Sequence, residues 1–107
     1  MSFLYFIEND ELCSRKIGVS SIALNRRYDS SWTLVEQFDF QSIDQARYVE
    51  KLVLWTIRSK YSLYPVLDSS KIRYGYSETF GYSSRLPNRK VIALIRDASS
   101  KLASLQV

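Results

Sequence analysis

From Ser42 to Tyr61 the sequence repeats apolar residues at helical spacing, and this stretch sets what the rest of the chain must pack against. Ser42-x-x-Gln45 has the form of a capping box, in which the serine side chain accepts a backbone donor of the first turn and the glutamine reaches back. Ala46, Val49, Val53 and Ile57 then share one face. Leu52, Leu54 and Trp55 widen it, so a largely buried helix is expected over 43–60, ending near Tyr61 and before Pro65. Upstream, Trp32–Phe40 alternates with Trp32, Leu34, Phe38 and Phe40 on one parity, which is the period of a half-buried strand.

The remaining elements are shorter. Leu4–Ile7 is an apolar, aromatic run closed by Asn9–Asp10, and a second strand over Arg15–Val19 would complete a hairpin. Ser20–Ser21 offers a cap for a short helix, Ile22–Tyr28, carrying Arg26 and Arg27. Residues 62–86 read as a loop-rich stretch. Pro87 then opens a final helix, about 87–105, with Val91, Leu94, Ile95, Ala98, Leu102 and Leu105 as its apolar stripe. The order β-β-α-β-α-(loop)-α predicts an α+β fold: a small three-stranded antiparallel sheet flanked by helices. At 107 residues this is one domain, 1–107.

Composition narrows the chemistry. The chain has no histidine and one cysteine, Cys13. That excludes an intramolecular disulfide, cysteine-cluster and histidine zinc centres, and histidine-activated nucleophiles. Hydrolytic chemistry must come from carboxylates, tyrosines, lysines and arginines. Fifteen basic against eleven acidic residues leave a net charge of +4, which permits a nucleic-acid partner without demonstrating one. No run approaches membrane-spanning length and nothing resembles a signal peptide, so the cytoplasm is the expected compartment.

Glu50 is the anomaly: it falls on the face of Ala46, Val49, Val53 and Ile57, where an unpaired carboxylate costs several kcal/mol. It must pair with a cation, bind a metal, or sit at the edge of that face looking into a cleft. Arg26 and Arg27 suit phosphate oxygens but equally suit a solvated helix face. Tyr5 is by default a packed aromatic with its hydroxyl at the rim, and Lys16 an exposed strand lysine.

Taken together these residues resemble the GIY-YIG nuclease superfamily. Leu4–Tyr5 matches the second and third positions of its first strand motif, and Lys16–Ile17–Gly18 matches the second with lysine in place of tyrosine, as in the branch written Lys-Ile-Gly. An arginine follows eight residues past Gly18, and Ala46-x-x-x-Glu50 resembles that branch's helix motif. Gly75–Phe80 is similar to its glycine–polar–glutamate–aromatic element, so the resemblance covers roughly residues 3–80. Phe3 stands where the family has glycine.

The resemblance implies a metal-dependent endonuclease acting on nucleic acid, DNA ahead of RNA. Glu50 would hold one Mg²⁺ or Mn²⁺. Tyr5, assisted by Lys16, would align or deprotonate the attacking water, and Arg26, preferred over Arg27 on spacing, would stabilise the transition state. Arg27 and the loop residues Lys71, Arg73, Tyr74 and Tyr76 are candidates for substrate binding, the loop equally a structural aromatic cluster. Gly18 is a supporting residue. Glu78 either orients a catalytic group or pairs with Arg73 or Arg85. Sequence selectivity would need a homodimer, a partner protein or the final helix. The alternative is a noncatalytic nucleic-acid-binding or protein-interaction domain that keeps the fold.

Overall fold

A computed structural model describes residues 2–21, 31–65 and 78–105. The expected helix at Ile22–Tyr28, with Arg26 and Arg27, lies outside the described residues, as does the loop holding Lys71, Arg73, Tyr74 and Tyr76.

Strands β1 (Ser2–Asn9) and β2 (Ser14–Ser20) form the expected hairpin. Its turn is built by side-chain and backbone donors together. Asn9 accepts from the Leu12 N–H through Oδ1 at 3.0 Å, and the Cys13 N–H donates to the Asp10 carbonyl at 3.1 Å. Cys13 itself adopts a left-handed φ of 47° to bring the chain back. β3 (Thr33–Phe40) pairs with the far side of β1, and β4 (Thr79–Gly81) pairs with Ser14–Lys16 of β2. The sheet is antiparallel in the order β3-β1-β2-β4.

The sheet thus has four strands where three were expected. β4 is only three residues long, too short to show a period of two, and it arises inside a loop-rich stretch. A second difference lies in β3. A register shift opposite Phe6 and Ile7 inserts Val35, so the parity of the strand changes along its length. Val35, Phe38 and Phe40 pack on the main core, whereas Trp32 joins Tyr5 and Ile7 in a separate cluster on the other face.

α1 (Ile43–Tyr61) starts where the capping pattern places it. The Gln45 N–H donates to the Ser42 hydroxyl at 3.3 Å, and Gln45 Oε1 accepts from the N–H of Gln41, one residue earlier than a standard box. Ala46, Val49, Glu50, Val53, Leu54 and Ile57 are buried. Trp55, expected to extend this face, is 67% exposed, because it shares the outward stripe of Lys51 and Arg58. Ser62, with φ 55°, ends the helix and donates its N–H to Arg58.

α2 (Asn88–Leu105) begins after Pro87, whose carbonyl accepts from Lys90 and Val91. Val91, Ile95 and Ala98 meet Val49, Val53 and Ile57 of α1 and Leu4, Phe6, Ile17 and Phe80 of the sheet. Both helices therefore cover one face. No helix among the described residues is long and apolar enough to cross a membrane.

Arg15 locks the late segment to the early one. It is 1% exposed, and its guanidinium donates to the carbonyls of Gly81 (2.6 Å) and Leu86 (2.7 Å) and to Asn88 Oδ1 (3.2 Å). It also lies over the rings of Phe80 and Tyr82. Asn88 and Tyr82 in turn donate to Glu8, and Tyr82 to Asp10. Burial lowers the Arg15 pKa, while Tyr82 and Glu8 oppose that shift. The same carboxylates, after burial, push the Tyr82 phenol up to about 12.

Candidate active site

Tyr5 and Gly18 are cross-strand partners, and Lys16 lies two residues along on the same face, opposite Ile7 and Thr79. Alternation puts these side chains on the face away from the helices, because Phe6 and Ile17, one step along each strand, enter the main core. The Tyr5 ring covers Gly18 so closely that a Cβ there would collide with its hydroxyl end. The Lys16 ammonium sits 6.0 Å from the centre of the Tyr5 ring. Both side chains are buried, Tyr5 to 2% exposure, where a rim hydroxyl and an exposed strand lysine were expected. Flanking strands on both sides and the Trp32 cluster account for the difference.

Glu50 arrives from α1. It is 7% exposed, and its Oε2 has no hydrogen-bond partner among the described residues. Burial raises its pKa from the usual range to about 7, and the charge of Glu78 adds to that. Arg47, Lys16 and Lys51 pull the other way. Lys16 is thus common to the two halves of the site: its ammonium lies over Tyr5 and its charge acts on Glu50. Beyond Lys16, no strand among the described residues continues the pairing of β4 with β2. Glu78, half-buried just before β4, supplies a second carboxylate acting on Glu50.

Tyr5, Gly18 and Lys16 are therefore packed together on the sheet face away from the helices, whereas Glu50 comes from α1, which packs on the opposite face, and is linked to Lys16 and Glu78 through charge. Thr79, fully buried opposite Lys16, completes those surroundings and was missed because β4 was read as loop. Its β-branched and aromatic pair with Phe80 before Gly81 was the available signal.

The donor set fits a hard divalent cation. Among the described residues no three histidine, cysteine or acidic side chains converge, so a metal would be held by one or two carboxylates with water completing its shell. That is the habit of Mg²⁺ rather than of a structural zinc. An orphaned carboxylate oxygen inside the fold is the acceptor such an ion requires.

Comparison with protein-family models, curated proteins and solved structures gives no match.

Proposed function

We propose that this chain is a metal-dependent endonuclease of the GIY-YIG kind, hydrolysing phosphodiester bonds in nucleic acid, with DNA as the expected substrate. The observation that carries the reading is Glu50, a buried carboxylate on an otherwise apolar helix face whose Oε2 has no hydrogen-bond partner among the described residues, electrostatically tied to Lys16. A structural glutamate in that position would be expected to bond a cation directly.

When bound, Mg²⁺ or Mn²⁺ supplies positive charge at the phosphate and the leaving oxygen. Glu50 holds it. Tyr5 aligns the attacking water or takes its proton, and Lys16, over the Tyr5 ring, supplies a fixed cation beside that hydroxyl-bearing group. Arg26 is the expected transition-state donor, with Arg27 on the substrate backbone. Glu78 tunes Glu50 through its charge. Sequence selectivity comes from a second copy or a partner protein, and the cytoplasm is the compartment this reading assigns.

The 2% exposure of Tyr5 favours a second reading, a domain that binds nucleic acid without cutting it. Incubating the protein with plasmid, single-stranded DNA and RNA in Mg²⁺, Mn²⁺ or EDTA separates the two. Metal-dependent nicking that disappears in Glu50→Gln supports the nuclease. Binding with no cleavage in either metal supports the second reading.

A further inference from the structure

The outward stripe of α1 carries a feature that the proposed chemistry does not use. Lys51, Leu54, Trp55 and Arg58 fall at i, i+3, i+4 and i+7, so they form one continuous face. After the left-handed Ser62 turns the chain, Tyr64 comes back beside them, and with Ser59 these residues line a groove of about 380 Å³. Trp55 is 67% exposed and Tyr64 60%. Two large rings in water beside the basic side chains of Lys51 and Arg58 make a specific chemical surface.

We propose that this groove binds single-stranded nucleic acid, with unpaired bases stacking on Trp55 and Tyr64 and phosphates meeting Lys51 and Arg58. Exposed π-faces are useful to a base only when its own faces are free, and a duplex hides them. The backbone positions of Lys51 and Arg58 are about 10 Å apart along the helix axis, a spacing that suits two points on one backbone rather than a single anion. A second copy of this chain is a poorer occupant. A two-fold contact would set the Lys51–Arg58 patch against itself, like charge on like charge. The position of the groove gives it a role that rests on the nuclease reading. Lys51 directly follows Glu50 on α1 and its charge acts on that carboxylate, so on the nuclease reading a strand held in the groove would be linked by charge to the proposed metal ligand.

The test is binding in EDTA, which is independent of cleavage. Labelled oligothymidylate and a blunt hairpin duplex are titrated with the wild type, Glu50→Gln, Trp55→Ala, Trp55→Phe and Tyr64→Ala. Anisotropy reads affinity, tryptophan fluorescence reads stacking, and thermal melts check folding. Trp55 and Tyr64 are exposed, so their variants should melt like the wild type. Oligothymidylate should quench fluorescence in the wild type and Glu50→Gln but not in Trp55→Phe, which loses the reporter. Trp55→Ala should bind it about 10-fold more weakly, and Trp55→Phe should retain most of the affinity. Unchanged oligothymidylate affinity in Trp55→Ala and Tyr64→Ala overturns the proposal. So does equal competition by an acidic peptide, or concentration-dependent dimerisation that shields Trp55. Intact quenching in a protein that cuts nothing overturns the nuclease reading and leaves the groove standing.

Discussion

The ring of Tyr5 occupies the space that any side chain at position 18 would need, so Gly18 and Tyr5 are one packing unit across two strands. Gly18→Ala should therefore cost about 1–3 kcal/mol, although alanine on its own would suit a strand better than glycine. In a Tyr5→Ala background the same change should cost little. Chemical denaturation of the four proteins measures the coupling, and additive losses would mean that the ring yields freely.

Glu50 sets the dependence of stability on pH. The folded protein keeps its proton up to about pH 7, while an unfolded glutamate loses it near 4.5. The contribution of the protonated form is complete below pH 4.5 and is lost as pH rises through 7. Above that, ionised and buried, Glu50 costs roughly 3 kcal/mol. Without metal, Glu50→Gln should then melt higher than wild type at pH 8, and the difference should vanish towards pH 4.5. Mg²⁺ should raise the wild-type melting temperature and leave the variant unmoved. A variant that melts lower at pH 8 would instead identify a structural ion pair.

Arg15 is a matter of stability alone. Arg15→Met leaves the carbonyls of Gly81 and Leu86 without their donor and removes the contacts to Phe80 and Tyr82. A loss of about 3 kcal/mol or more is expected from unsatisfied buried acceptors. Activity per folded molecule should survive at temperatures below the melt, as calorimetry beside a nicking assay would show.

Arg26 and Arg27 should separate kinetically. Arg26→Ala should lower turnover on the order of 10²-fold, as loss of a transition-state donor does. Arg27→Ala should weaken binding in a salt-dependent way. Single-turnover rates at two salt concentrations distinguish them, and the reverse pattern would move the catalytic role to Arg27.

Cys13 and Ser62 both hold positive φ without being glycine. Cys13→Gly and Ser62→Gly should each add up to about 1 kcal/mol, since the left-handed conformation penalises a Cβ more than glycine loses in chain entropy. Alanine at either position should give no such gain in a denaturant titration.

Much of this architecture is written locally. Ser42 and the 3.6-residue repeat behind it mark α1, and Glu50 announces its own burial by interrupting that repeat. What was not legible depends on partners distant in the chain. Val35 bulges because of how β3 meets Phe6 and Ile7, and β4 exists because Ser14–Lys16 offers it an edge. The exposure of Trp55 was hidden by its neighbours Leu54 and Leu52, one of them buried and the other half-buried on the same helix. Arg15 looked like an ordinary strand cation until residues 80–88 folded around it.

Phe80, Leu86, Val91, Ile95 and Ala98 are five of the twelve buried residues of the main core, and they are made after β1, β2, β3 and α1. A nascent chain made only through Tyr61 has its hairpin, β3 and α1 in hand, and the apolar stripe of α1 can close on the sheet, but the side that α2 will cover stays open. Core closure must wait until synthesis has passed Ala98, and meanwhile the chain presents a sticky helix to its surroundings. This is a fold whose vulnerable period is set by translation, and holdase chaperones should engage it during that interval.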